Sequence, residues 1–252
     1  MIKQNYVVSF ALPIVFPLII LLFWEYAGRN GLVSPAILPA PSKIQQAYSK
    51  MLSSGALVRN IQVSFGRVIT GYAIGAAAGL SLGIVIGLFR YIERSTFLIV
   101  SLLRPIPMIA LVPLFILFFG IGETSKIAVI ALGSFWPIFM NTQHGIKSVD
   151  IKLLEVAHAL RKSQLETLLK VIFPSSLPSI FVGARLGASI AWMCVVAAEM
   201  IAASSGVGYM LMFARETSQT PVMYLGILVI GLFGLLIDLG LTNLQKLLLR
   251  WV

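Results

Sequence analysis

Apolar residues along the chain gather into long runs instead of alternating with polar ones, and a helix needs about 20 mostly apolar residues to cross a bilayer. Six runs approach that length: Val7 to Tyr26, Val63 to Phe89, Phe97 to Phe119, Ile127 to Thr142, Leu177 to Met200 and Val222 to Leu241. The pattern predicts an all-α membrane protein of about six transmembrane helices, a single domain over residues 1–252. Residues 1–62 are expected to hold the first span and a surface helix, and 63–252 the core. The surface helix is read from Ser42 to Leu52, where Ile44, Tyr48, Met51 and Leu52 share one helical face after Leu38, Pro39, Ala40 and Pro41. Lys3 ahead of the first run gives it a likeness to a secretion signal. The run is long for one, and Trp24, Glu25 and Tyr26 make a poor cleavage site, so an uncleaved span is expected.

Within the second run Gly71, Gly75, Gly79, Gly83 and Gly87 recur every four residues, lining one helix face with bare backbone that another helix can approach closely. The third run is broken by Arg104, Pro105, Ile106, Pro107 and Pro113, too many prolines for one straight helix. Arg104 facing lipid near the midplane would cost about 2.5 to 3.5 kcal/mol. It is expected to face protein or water, or to lie near a helix end. Two readings stand side by side: a residue lining a hydrophilic path for an anion, or a snorkelling or hydrogen-bonded structural arginine. Arg67 and Arg185 join Arg104 as cations that would concentrate an anion, with Ser134, Ser189 and Trp192 as further path candidates. Glu199 and Asp238 are expected to be paired or to lie near interfaces, not to bind substrate.

Composition narrows the classes. The chain is 58% hydrophobic and 11% charged, against roughly 25% charged in soluble domains, which excludes a water-soluble globule. Its net charge of +10 is not gathered into a basic run, so nucleic acid is not an expected partner. Placing both termini inside puts Lys3, Arg90, Arg94, Lys147, Lys152, Arg161, Lys162, Lys170, Lys246 and Arg250 on the cytoplasmic side. Fewer cations, Arg29, Lys43, Lys50, Arg59, Lys126 and Arg215, then lie outside, as the positive-inside rule favours. The lone Cys194 and the scattered His144 and His158 offer no metal site, and no cluster of nucleophile, acid and base suggests an enzyme. Gly120 to Lys126 lacks the spacing of a phosphate loop, so energy must come from a partner or an ion gradient. A self-sufficient secondary transporter remains an alternative, although no internal repeat supports it.

The longest inner loop, Asn141 to Ser176, is too hydrophobic for a linker. Leu153, Leu154, Ala157 and Leu160, then Leu165, Leu168, Leu169 and Ile172, recur at helical spacing, before Pro174 and Pro178. The spacing predicts two short helices joined near Arg161 to Ser163, a hairpin that either docks a soluble partner or rests on lipid.

Glu155, Val156, Ala157, His158, Ala159, Leu160 and Arg161, with Phe173, Pro174, Leu177 and Pro178 beyond, resemble the EAA loop of permease subunits of bacterial ABC importers. Leu103 to Pro107, Leu111 to Phe115, Phe119 to Lys126, His144 to Asp150 and Ala198 to Tyr209 are similar to the sulfonate, taurine and nitrate branch. The resemblance implies the type I ABC importer permease fold, with a cytoplasmic coupling loop over 143–176, in the bacterial inner membrane. It implies a homodimer, two ATPase subunits that bind the ATP and Mg, a separate extracytoplasmic substrate-binding protein, and no cofactor in this chain. It further implies that Glu155, Ala157, His158, Arg161, Lys162 and Ser163 couple the ATPase to the spans. The expected cargo is a small anion, an aliphatic sulfonate or taurine, with nitrate or another small organic nutrient as the alternative. The family's loop glycine falls at Arg161, so this residue either adopts a positive φ at a cost of about 1 kcal/mol or stays helical and offers its charge to the partner.

Overall fold

The computed structural model describes residues 6–249, and every regular element among them is helical. Helix α1 spans Tyr6–Arg29, α2 Pro41–Ser53, α3 Ala56–Leu88 and α4 Arg90–Leu103. A 3-10 turn, Met108–Leu111, leads into α5, Val112–Phe119, and then α6, Glu123–Lys147. Helices α7, Ile151–Ala159, and α8, Gln164–Thr167, precede a π turn, Leu168–Ile172, and α9, Phe173–Ala202. Helices α10, Val207–Glu216, and α11, Thr220–Leu248, are the last of the described elements.

Helix α6 is the centre of the bundle because glycines on the two neighbouring helices let them close on it. Gly71 meets Ile130, Gly79 meets Ile138, Gly83 meets Thr142 and Gly87 meets Ile146, a constant register that makes α3 and α6 parallel. A methyl group added at Gly79 would lie 2.9 Å from the Phe135 carbonyl oxygen, and one at Gly83 2.7 Å from Thr142 Cβ. The glycine ladder therefore carries the α3–α6 contact and does not face lipid. On the other side Gly145 meets Ser176 and Ser179, Gly183 meets Asn141 and Gly187 meets Ile138, the opposite order, so α9 runs antiparallel. Val68, Val112, Val129, Ile130, Ala191, Trp192, Cys194 and Val195 fill the space where these helices meet.

Three helices, Ala56–Leu88, Gln164–Ala202 and Thr220–Leu248, are long and apolar enough to cross a membrane. The third expected span is a broken one: Arg90–Leu103 and Met108–Phe119 pass together and are bent by 85°. The bend falls at Arg104 to Pro107, where Pro105 and Pro107 cannot donate to the helical ladder. Helix α6 tolerates Glu123, Lys126, His144 and Lys147 at its ends because its middle is wrapped by α3 and α9 instead of lipid.

Two elements differ from expectation. Pro174 and Pro178 do not separate the hairpin from the fifth span: one helix of 39 residues runs from Gln164 to Ala202. The π turn shifts the backbone hydrogen bonds from four residues to five just ahead of Pro174, so the missing proline donors are absorbed. Helix α2 does more than rest on a surface, since Ile44 packs with Leu57, Val207, Met210, Leu225 and Val229 from α3, α10 and α11. It also holds α1 by its end, through Trp24 Nε1 donating to the Pro39 carbonyl at 3.0 Å and the Ser42 amide donating to Glu25 at 2.9 Å.

Candidate functional site

The hairpin is built by caps at each turn. Asp150 caps α7 by accepting from the Lys152 amide at 2.9 Å. At the other end the Lys162 amide donates to the Ala157 carbonyl at 3.0 Å and the Arg161 amide to the His158 carbonyl at 2.9 Å. This six-to-one and five-to-two pair is a Schellman stop, which places its C′ residue in the left-handed region. That residue is Arg161, with φ of 52°, so the positive-φ alternative holds and the helical one does not. Ser163 then starts α8 with a capping box, its hydroxyl accepting from the Glu166 amide while Glu166 accepts from the Ser163 amide. Lys170 and Lys162 donate to the same carboxylate at 3.1 and 3.2 Å. The Lys170 hydrogen bond first, then the Ser163 amide and Lys162, pull the Glu166 carboxyl down to about 2.

Ala157 is buried, 4% exposed. A side chain so enclosed offers no surface to a docking partner. Glu155, Arg161, Lys162 and Ser163 are exposed. His158 and Lys162 line a cavity of about 690 Å³ between the end of α3 and the hairpin, together with Leu88 and Leu165. Ile151, Leu153, Val156, Leu160, Leu165 and Leu169 stand exposed on the hairpin, an apolar surface that asks for a cover.

The polar residues of the spans separate into locked and open groups. Arg67 is 5% exposed, with Nη1 2.7 Å from Glu199 Oε1 and from the Ser205 carbonyl, and Nε and Nη2 2.6 and 2.7 Å from the two Glu123 oxygens. Glu199 also accepts from Ser64 Oγ at 2.8 Å and from the Gly208 amide at 2.9 Å. The cluster ties α3, α6, α9 and the start of α10 together at the end opposite the hairpin. Arg67 was expected on an anion path, but its donors are spent on carboxylates and it is enclosed. Arg185 reaches Asp238 Oδ2 at 2.7 Å and joins α9 to α11. Ser134 is fully buried and donates to the Ile130 carbonyl at 3.0 Å. Ser189 donates to the Arg185 carbonyl at 3.2 Å, and Trp192 Nε1 to the Ile230 carbonyl at 2.9 Å, so neither points a free donor into a path.

Arg104, unlike the locked residues, opens onto cavities. It lines one of about 480 Å³ with Pro107, Met108, Trp136, Met140 and Asn141, and a second of about 220 Å³ with Glu93, Ser101 and Gln143. Two residues of these regions escaped the sequence reading. Glu123 carried one usable signal, an acidic residue at the start of a predicted helix. Trp136 carried none, because a tryptophan in an apolar run reads as core. In the fold its Nε1 is buried with no hydrogen-bond partner.

A bundle of membrane spans, one of them broken beside an open arginine, with a stiff helical hairpin at one end, is the architecture of a transport permease. The chain belongs to the family described as the binding-protein-dependent transport system inner membrane component, whose pattern matches residues 75–252. It is thus a multi-pass inner-membrane permease of the ABC importer type. It is 41% identical over 238 residues to the putative aliphatic sulfonates transport permease SsuC of Bacillus subtilis, covering 94% of this chain and 86% of that one. It is 36% identical to the taurine transport system permease TauC of Escherichia coli, covering 92% of this chain and 86% of that one. A solved inward-facing structure of the MetNI methionine ABC transporter superposes with a TM-score of 0.68 at 18% identity, covering 77% of this chain and 96% of that one, which shows the shared fold.

Proposed function

We propose that this chain forms the membrane path of an ATP-driven importer of small organosulfonates, such as taurine or a short alkanesulfonate. The observation that carries this reading is the likeness to the aliphatic sulfonate permease over 94% of the chain. Arg104, open to two cavities at the bend of the broken span, supports it chemically. Two copies of the chain pair, and each hairpin meets one ATPase subunit on the cytoplasmic side, where both chain termini also lie. ATP and Mg belong to those subunits, and this chain performs no catalysis and holds no cofactor. A binding protein delivers the cargo from outside. The continuous helix from Gln164 to Ala202 supplies the linkage: a push on the hairpin moves the whole of α9 as a rigid lever. The remaining hairpin residues act through shape and charge, Arg161 by closing the turn and Lys162 with His158 by lining the groove beneath it.

Uptake of labelled taurine, an alkanesulfonate, nitrate and a neutral nutrient tests the reading, in vesicles holding the chain, its ATPase and its binding protein. ATP-dependent accumulation of the sulfonates is expected. Nitrate in their place would move the assignment to inorganic anions, and accumulation of the neutral nutrient alone would overturn the anion reading.

A further inference from the structure

Three cavities follow one another along α4 and the bend beyond it; α6 lines the first two, and the third is lined by α4 alone. The one of about 480 Å³ at the bend shares Arg104 and Met140 with the next, of about 220 Å³, and that one shares Glu93 and Phe97 with a third of about 340 Å³ at the α4 start. Helix α4 supplies the continuity because Arg90, Glu93, Phe97, Ser101 and Arg104 recur at three- and four-residue steps along one side. The charges along the row are uneven. Arg104 stands at one end, Arg90 and Arg94 at the other, and the single carboxylate between them, Glu93, is bound by Lys147 from α6. Arg104 makes no side-chain hydrogen bond or ion pair among the described residues, in contrast to the enclosed Arg67 and to Arg185 with its carboxylate partner.

Trp136 also lines the bend cavity, but its indole N–H is itself buried and is closed to a solute there. The unpaired Arg104 guanidinium is therefore the donor this cavity offers, and it calls for an acceptor that the chain itself does not provide. Asn141 on the same wall is already engaged, its Nδ2 donating to the Pro137 carbonyl at 2.8 Å. Met108, Met140, Pro107 and Ile190 make the rest of the wall apolar. A group with several acceptor oxygens on a short apolar stem matches this lining.

We propose that the row of cavities beside α4 is the inward limb of the cargo's route, and that Arg104 receives an oxyanion headgroup at the bend end of that row. The proposal rests on the anion reading given above. Arg104 holds the charge, and the cations at the far mouth draw the anion on once it is released. Glu93 with Lys147 keeps the middle of the row close to neutral, so the cargo is not trapped there.

Thiol modification in the assembled transporter tests this without relying on turnover. Ser101→Cys places a thiol in the second cavity, next to Arg104, while the native Cys194 is buried in the core. The thiol is treated with a sulfonate-bearing or a trimethylammonium-bearing methanethiosulfonate, and each rate is divided by that of a free thiol. The anionic reagent is expected to be favoured by about tenfold. Arg104→Gln should remove most of that preference and Arg104→Lys should retain it. A preference near one, or one unmoved by Arg104→Gln, in a transporter that imports taurine overturns the route alone. A transporter that imports no sulfonate overturns the anion reading beneath it.

Discussion

Arg67 is the residue whose removal should cost the bundle most, because it leaves a carboxylate stranded inside protein. The Glu199 side chain is 0% exposed and sits 2.7 Å from the guanidinium, whereas Glu123 is 57% exposed and can turn to water or keep Lys126 at 2.9 Å. Arg67→Met therefore harms the packing through Glu199, not Glu123. Removing one partner of a buried pair costs about 3 to 5 kcal/mol. For a domain of this size each kcal/mol moves the melting temperature by about 2 to 4 °C, which gives a drop of about 6 to 20 °C. Glu199→Gln should cost less, since an amide is cheaper to bury than an unpaired charge, although its NH2 must face a donor from Arg67 or Gly208. The two changes share one network, so the double variant should fall short of the sum by about 1 to 3 kcal/mol. Thermal unfolding of the detergent-purified complex measures all four forms, with membrane insertion checked beforehand. An Arg67→Met protein melting within about 2 °C of the parent would refute the reasoning, for it would mean that Glu199 is not held as a charge by Arg67.

Gly79→Leu should destabilise by about 1 to 3 kcal/mol or more, read as a fall in melting temperature, because the space beside it is occupied by Phe135 and Ile138 of α6; an unchanged melting temperature would contradict the parallel α3–α6 contact. Arg161→Gly should leave uptake intact and slow hydrogen exchange in the turn, since glycine takes the left-handed C′ conformation without strain; faster exchange would show that the arginine side chain, not the backbone, holds the turn. Glu166 binds its proton more weakly in the folded hairpin than in a free chain, so its contribution is complete above the ordinary value of 4.5 and is lost as pH falls toward about 2. Exchange in residues 160–167, corrected for its intrinsic pH dependence, should rise only in that acid window, and Glu166→Gln should show the rise at neutral pH.

Much of the architecture was legible because bilayer crossing demands long apolar runs, and the runs and glycine ladder stand in the sequence. The ladder gave a close approach but not its partner, since α6 shows no matching stripe of glycines; Ile130, Ile138, Thr142 and Ile146 only become its counterpart once register is set. The helical continuation through Pro174 was not legible, because proline in a helix normally reads as a stop and the π turn that absorbs it has no sequence mark. The candidate path was legible in part. Arg104 stood out as a charge in an apolar run, yet so did Arg67 and Arg185, and only the placement of Glu123, Glu199 and Asp238 around those two separates structural arginines from the open one. The burial of Ala157 was not legible, because a nine-residue helix has apolar residues on both sides and spacing alone does not say which side is covered.

The central claim is that an ATPase drives this permease through its hairpin, and the exposed Val156 and Leu160 test it most directly. Replacing both with Glu removes apolar docking surface while sparing the buried Ala157, the Arg161 turn and every membrane span. ATP-dependent taurine uptake and co-purification of the ATPase are then measured together in vesicles of matched permease content. Loss of both, with insertion and melting temperature unchanged, is the predicted result. Full uptake with the ATPase still bound would contradict the account and leave the hairpin resting on lipid.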